Sequence, residues 1–123
     1  VEQVRSLAPG PSGAFINSLG EDAEGRIWLG TTQGLDRVED GERIVAGPQL
    51  PADARAVFAI TRDGDGRALW VSTDRGLMRL QPGTGAIALI GREQGLPMEK
   101  VFNALADDAG HLWLSTNRGA LRL

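Results

Sequence analysis

Three tryptophans recur at nearly equal spacing along this chain and constrain its fold more than any other feature. Trp28, Trp70 and Trp113 are separated by 42 and 43 residues. The residues around them read Gly-Arg-Ile-Trp-Leu-Gly-Thr-Thr-Gln-Gly-Leu, Arg-Ala-Leu-Trp-Val-Ser-Thr-Asp-Arg-Gly-Leu and His-Leu-Trp-Leu-Ser-Thr-Asn-Arg-Gly-Ala-Leu. Because fixed periods of this length are typical of repeat architectures, we predict three copies of one structural unit.

Each copy is predicted to form four short β-strands, called a to d. Short apolar runs alternate with turns rich in Gly and Asp, and no segment shows a sustained helical period. Strand c follows the b–c turn glycine, and strand a carries two apolar residues three positions apart, which implies a bulge. Strand b is predicted at residues 27–31, 69–73 and 112–116, strand d at 43–46 and 86–90, and the strand a pairs are Ile16 with Leu19, Val57 with Ile60, and Phe102 with Leu105.

The predicted fold class is all-β, with about three four-stranded antiparallel β-propeller blades in a single domain, 1–123. The blades span 14–47, 56–91 and 101–123, and a strand d at 1–7 could complete the third blade. Propellers normally close with four to eight blades, so this is an incomplete ring. We therefore expect the chain, which begins with Val rather than Met, to be a piece of a longer protein. Its expected partners are copies of itself or the remaining blades of that parent.

Composition excludes several classes of function. The chain has no Cys and one His, which argues against disulfides, thiolate metal sites and multi-histidine metal sites, so we expect no metal and no cofactor. Thirteen basic and sixteen acidic residues give a net charge of −3, which does not suit a nucleic-acid partner. No apolar run approaches the ~18 residues of a membrane span, so direct membrane insertion of this segment is not expected.

Several recurring polar residues are predicted to be structural, and no catalytic residue is predicted. The acidic pairs before each Trp are expected to cap the a–b turns. His111 is expected to be an exposed turn residue, and the three tryptophans to pack in the blade core. Arginines that recur on strand c are expected to form contacts between blades. These pairs and arginines are 21–22, 63 with 65, 107–108, Arg37, Arg79 and Arg122.

The b–c turns are the predicted ligand-binding surface, because these turns differ among the copies while the frame around them recurs. Two guanidinium groups beside an Asp and an Asn could bind a carboxylate, a sulfate or sugar hydroxyls. The expected ligand is a small anion or a carbohydrate. The predicted binding residues are Gln33, Asp74, Arg75, Asn117 and Arg118.

The frame Asp-x-x-Gly-x-apolar-Trp-apolar-(Gly/Ser)-Thr-x-x-Gly-Leu-x-Arg resembles the two-component regulator propeller repeat. This resemblance implies a non-catalytic sensing segment in the extracytoplasmic, periplasmic region of a bacterial signal-transduction receptor. One alternative is a fragment of a propeller enzyme similar to streptogramin lyases, which also carry a Gly-x-apolar-Trp blade motif and use a metal with catalytic His and Glu. Another alternative is a purely structural fragment that assembles with itself into a ring.

Overall fold

The computed structural model describes residues 3–10, 15–91, 95–96 and 100–123, and this part of the chain contains β-strands without helices. In chain order the strands are β1 (Ile16–Glu21), β2 (Ile27–Thr31), β3 (Gly34–Glu39), β4 (Arg43–Ala46), β5 (Val57–Arg62), β6 (Leu69–Thr73), β7 (Gly76–Gln81), β8 (Ala86–Ile90), β9 (Val101–Ala106), β10 (Leu112–Thr116) and β11 (Gly119–Arg122).

The strands form three antiparallel sheets of consecutive hairpins. The first two sheets have the orders β1-β2-β3-β4 and β5-β6-β7-β8, and the third has the order β9-β10-β11. The predicted all-β blade architecture is therefore confirmed. The observed bounds of β2, β6 and β10 coincide with the predicted b strands, because Gly-containing turns flank each apolar run on both sides.

The bulge predicted in strand a occurs in each sheet. The pairing register shifts near the start of β1, β5 and β9, which leaves Asn17, Phe58 and Phe102 without a directly paired residue. The predicted apolar pair in β9 was wrong by one position. Val101 and Ala104 are buried there, whereas Phe102 and Leu105 are exposed, because the bulge sets which side chains face the neighbouring sheet.

The strand predicted at 1–7 was wrong for the residues that the structure describes. Residues 3–7 lie in no strand, and the third sheet has three strands within the described ranges; Val1 and Glu2 lie outside them. Gly10 instead approaches the first sheet so closely that a Cβ would lie 2.7 Å from Oδ2 of Asp36.

The hydrophobic core lies between successive sheets. One cluster joins the first and second sheets through Trp28, Val57 and Ile60. A second cluster joins the second and third sheets, and in it Trp70 packs beside Val101 and other apolar residues. Each sheet is therefore stabilised by the sheet that packs on its face, as expected for stacked units.

The three tryptophans show this dependence directly. Trp28 is 2% exposed beneath the second sheet, Trp70 is half-buried beneath the third, and Trp113 is 42% exposed. The prediction that every Trp packs in the core was therefore wrong for Trp113, because no described residue covers that face of the third sheet. Burial of this recurring residue depends on the next blade.

Candidate functional site

The b–c turns of the three sheets share one hydrogen-bond arrangement. The Thr31 hydroxyl donates to the carbonyl of Gly34 at 2.9 Å and accepts from the backbone N–H of Gln33 at 3.0 Å. The same pair of bonds recurs at Thr73 and at Thr116. Gly34 has a φ of 122°, a conformation that favours glycine. These threonines therefore have a structural role in the b–c turns.

Each b–c turn is tied to the segment that precedes strand a of its own sheet. Backbone N–H groups of Thr32, Asp74 and Asn117 donate to carbonyls of Phe15, Ala56 and Lys100, respectively. Because the same tie recurs in all three sheets, the b–c turns and the segments before strand a form one continuous side of the structure. We call this side the loop edge.

An open cavity of about 760 Å³ lies at the loop edge of the first sheet, against the connection that leads to the second sheet. Its wall combines the β2–β3 turn and the start of β3 with the segment that connects β4 to β5. Both apolar and polar side chains contribute, and Asp53 adopts a φ of 56°, in the left-handed region. The lining residues are Gln33, Gly34, Leu35, Asp36, Ala46, Gly47, Pro48, Gln49, Leu50, Asp53, Ala54 and Arg55.

The predicted binding residues fall into two groups in the structure. Gln33 lines the cavity, whereas the exposed residues Arg75, Asn117 and Arg118 lie on the other two b–c turns and outside its wall. Asp74 has a structural task, since its Oδ1 accepts from the backbone N–H groups of Arg55 at 3.0 Å and Ala56 at 3.2 Å. Asp74 thus positions one wall of the cavity.

Sequence reasoning missed most of the cavity wall. The stretch 46–55 lies between predicted strands and contains no recurring motif, so its contribution could not be seen in the repeat. Two Pro residues, one Gln residue and an Asp–Ala–Arg run give that stretch its polar and conformational character. The length of this stretch was the one signal that could have indicated it, because the connection from strand d to strand a is the longest connection within the first two copies.

The opposite side of the sheets carries the a–b turns, and we call it the turn edge. Asp22, 1% exposed, organises the first of these turns. Its Oδ1 accepts from the backbone N–H groups of Glu24 and Arg26, and its Oδ2 accepts from Arg26 Nε at 2.7 Å and from Trp28 Nε1 at 2.9 Å. Burial disfavours the charged carboxylate, but these hydrogen bonds outweigh burial and lower the pKa of Asp22.

The third a–b turn repeats this arrangement at an exposed site. Oδ2 of Asp107 accepts from Trp113 Nε1 at 2.8 Å, and Oδ1 accepts from the backbone N–H groups of Ala109 and His111. The bond from Trp113 and then the bond from His111 lower the pKa of Asp107. His111 is exposed, as predicted, with its Nδ1 3.7 Å from Asp107 Oδ2.

The second a–b turn departs from the pattern. Seven positions separate Asp63 from Trp70, whereas six separate the corresponding residues of the other copies. The hydrogen-bond pattern places the additional residue at Arg67, because Ala68 makes the backbone contact that Arg26 and His111 make. Asp63 bonds its own neighbour Gly64 at 2.7 Å, and the buried Trp70 Nε1 has no hydrogen-bond partner.

The described contacts of the strand c arginines lie within their own sheets, so the prediction that they connect blades was wrong for Arg79, while for Arg122, on a face that no described blade covers, it stays a prediction. The guanidinium of Arg79 lies 5.7 Å from the ring centroid of Trp70, and its Nη2 lies 3.5 Å from Oδ2 of Asp63. Arg122 lies over Trp113 in the same way at 5.9 Å. The cause is the pairing register, which places each arginine directly beside the Trp of its own sheet.

Two further surveys concern only residues 3–10, 15–91, 95–96 and 100–123. They contain no group of three or more His, Asp or Glu residues arranged to hold a metal ion. Over the same ranges, no helix has the length and apolar character needed to cross a membrane.

Comparisons with known proteins bear on the repeat itself. Residues 9–33, which contain the first Trp and most of its recurring frame, match the family model described as two component regulator propeller. This match confirms the resemblance drawn from the sequence motif. None of the curated proteins matches the chain.

Solved structures similar to the chain share its fold. The extracellular domain of a hybrid two component system from B. thetaiotaomicron has a TM-score of 0.78 at 21% identity, covering 97% of this chain and 18% of that one. Another from the same organism has a TM-score of 0.69 at 25% identity, covering 90% and 15%. Virginiamycin B lyase from Staphylococcus aureus has a TM-score of 0.65 at 21% identity, covering 94% and 43%.

These neighbours are β-propellers, so the β-propeller fold is shown for this chain. The chain spans less than a fifth of the two extracellular domains and under half of the lyase.

Proposed function

We propose that this chain is a non-catalytic, ligand-binding part of an extracytoplasmic propeller sensor, located in the periplasm. The two component regulator propeller repeat and the similarity to extracellular domains of two component systems support this proposal. Binding at the loop edge would bias how neighbouring blades pack, and that bias would be passed to an output module of the parent receptor.

The cavity at the loop edge is the observation that carries the ligand-binding proposal. It joins a b–c turn of the first sheet to the connection that leads to the second sheet, so an occupant would contact the first blade and this connection at once. Asp74 holds the Arg55 segment in place through two hydrogen bonds, which pre-organises one wall. A ligand that contacts the first blade and this connection stabilises their arrangement, because it binds that arrangement more tightly than a separated one.

The chemistry of the wall favours a neutral, polyhydroxylated ligand such as a carbohydrate. Amide side chains of Gln33 and Gln49 can each donate and accept hydrogen bonds, and two Asp carboxylates are matched by only one lining guanidinium, that of Arg55. Pro48 and Leu50 add apolar surface for the faces of sugar rings. An anionic ligand fits the exposed Arg75 and Arg118 on the other b–c turns better than it fits this cavity.

Isothermal titration with two probes tests the proposal and separates the two surfaces. Cellobiose is the neutral probe, and a disaccharide containing one uronic acid is the anionic probe. Arg55→Ala with Gln33→Ala should weaken cellobiose binding by about tenfold or more, since each lost hydrogen bond to a charged or polar group contributes about 1 kcal/mol. Arg75→Ala with Arg118→Ala is the matched control, because these residues lie outside the cavity wall.

The two probes can contradict the proposal in different ways. Cellobiose binding that is equally affected by both double variants, or by neither, would contradict the cavity as the binding site. Tighter binding of the uronic acid probe, lost in Arg75→Ala with Arg118→Ala while the melting temperature is unchanged, would move the site to the exposed b–c turns. In both cases the fold is checked by circular dichroism.

A further inference from the structure

A second open cavity, of about 470 Å³, lies at the turn edge and joins the first sheet to the second. The first a–b turn contributes Glu24 and Arg26 to its wall. The second sheet contributes Arg67 from its own a–b turn, together with Pro82 and Gly83 from the turn between β7 and β8. Its volume is typical of small-molecule sites, so this cavity is a candidate site separate from the one at the loop edge.

Hydrogen bonds fix the position of the two sheets around this cavity. Arg62, at the end of β5, reaches across to the first a–b turn, where its Nη2 donates to the carbonyl of Asp22 at 2.7 Å and its Nε donates to the carbonyl of Glu21 at 3.1 Å. The carboxylate of Asp22 in turn holds the guanidinium of Arg26 through its Nε. The wall is therefore pre-organised, which lowers the entropy lost when a ligand binds.

Three charged side chains of the wall can contact a ligand. Among the described residues, the side chains of Glu24 and Arg67 make no hydrogen bond or ion pair, and Arg26 uses its Nε but neither terminal nitrogen. The carboxylate of Asp22 is already occupied, since each of its oxygens accepts two hydrogen bonds. Because Asp22 compensates the charge of Arg26, the rest of the wall presents one positive group, on Arg67, and one negative group, on Glu24.

Arg67 is also the residue that breaks the repeat frame of the second sheet. It is the additional residue of that a–b turn, and Trp70 Nε1 is buried there without a hydrogen-bond partner, whereas Trp28 and Trp113 each donate to an Asp. An unsatisfied buried donor destabilises a fold, so the insertion is unfavourable for the blade itself. Departures from local rules are expected where a functional site requires them, and this one places a guanidinium in the cavity wall.

We propose that this cavity binds a small zwitterionic ligand, of the class of free amino acids and short peptides. The guanidinium groups of Arg67 and Arg26 bind its carboxylate, and the carboxylate of Glu24 binds its ammonium group. A plain anion fits less well because Glu24 repels it, and a plain cation fits less well because both guanidinium groups repel it. Pro82 adds apolar surface for a short side chain. This inference concerns the turn edge and does not depend on ligand binding at the loop edge.

Nitrogen–proton NMR titrations with three matched probes test this site on the whole chain. Alanyl-alanine carries both charges, its N-acetylated form lacks the ammonium group, and its C-terminal amide lacks the carboxylate. Alanyl-alanine should bind the wild-type chain about fivefold or more tightly than either modified form, because each modification removes one charge pair. Its binding should shift the backbone signals of Glu24, Arg26, Arg67 and Gly83.

Variants of the two available charges separate a binding role from a structural one. Arg67→Ala should weaken alanyl-alanine binding by about fivefold or more and leave the melting temperature unchanged. Glu24→Gln should weaken binding of alanyl-alanine but strengthen binding of the N-acetylated form, because it removes both the ammonium partner and the repulsion. Deletion of Arg67 should lose binding while the chain becomes more stable. Arg43→Ala is the matched control, since Arg43 is an exposed arginine that pairs with Glu39 outside the cavity wall.

Several results would overturn the inference. They are the absence of a saturable shift with alanyl-alanine, tighter binding of either modified form, and shifts confined to the loop edge. Alanyl-alanine binding that Arg67→Ala leaves unchanged, or weakens no more than Arg43→Ala does, would overturn it as well. Arg67 and Glu24 are both exposed, so these single changes should keep the fold, as checked by circular dichroism, and Arg67→Ala decides the matter if the deletion does not fold.

Discussion

The buried carboxylate of Asp22 allows a sharp test of what holds a blade together at the turn edge. Asp22→Ala removes the acceptor for two backbone N–H groups, for the Arg26 side chain and for Trp28 Nε1. The matched change is Asp63→Ala in the next copy. Among the contacts that we describe, the carboxylate of Asp63 accepts from the backbone N–H of its neighbour Gly64 and lies 3.5 Å from Arg79.

The expected magnitudes differ because burial differs. Trp28 is 2% exposed, so its indole N–H cannot find water after the change, and an unsatisfied buried donor costs about 1–3 kcal/mol. The backbone N–H groups of Glu24 and Arg26 also lose their acceptor, and because they lie near the surface this loss adds only part of a second such cost. We expect Asp22→Ala to lower the free energy of unfolding by about 2–4 kcal/mol, whereas Asp63→Ala should lower it by less than about 1 kcal/mol.

Urea denaturation followed by circular dichroism measures the difference. With a denaturant slope of about 1–3 kcal/mol per molar urea, Asp22→Ala should shift the midpoint by roughly 1–2 M, and Asp63→Ala by a few tenths of that. Equal shifts in the two variants would refute the reasoning, because they would show that the hydrogen bonds to Trp28 contribute no more than an exposed turn contact.

Three further predictions follow from the same contacts. Deleting Arg67 restores the six-residue spacing of the other copies, so Trp70 Nε1 gains an acceptor and the urea midpoint should rise. Gly20→Ala should cost about 1–3 kcal/mol in thermal or urea unfolding because its Cβ overlaps Ile60, while Gly64→Ala, with open space around it, serves as the control. The pKa of Asp22 is lowered in the folded chain, so the stabilising effect of its carboxylate is present above about pH 4 and is lost as the pH falls through the folded pKa. The urea midpoint of the wild-type chain should therefore drop as the pH falls below about 4. The midpoint of Asp22→Asn, which lacks this carboxylate, should drop less steeply.

The repeat allowed much of each blade to be predicted because local chemistry determines it. Strand b is an apolar run between a Gly-containing turn and the Thr–x–x–Gly turn, and those turns close the hairpin wherever they occur. The bonds of Thr31 with Gly34 and Gln33 therefore recur in all three copies. The role of Asp22 as a cap was predictable for the same reason.

The features that the repeat could not predict depend on the neighbouring sheets, turns and connections. Trp113 has the same local frame as Trp28 but is exposed, because burial comes from the next sheet and not from the frame. Trp70 loses its acceptor through one additional residue in a turn, which changes geometry without changing the motif. The cavity wall at 46–55 lies in a connection that carries no repeat, so only its three-dimensional position reveals it.

The most direct test of the proposed function is a nitrogen–proton NMR titration of the chain with cellobiose. We predict that backbone signals shift at saturation for the cavity wall, chiefly Gln33, Asp36 and the segment 46–55, while signals of Arg75, Arg118 and the exposed Trp113 stay in place. Shifts confined to the other b–c turns or to the third sheet, or no shift at concentrations up to the millimolar range, would contradict the claim that this cavity is a ligand-binding site.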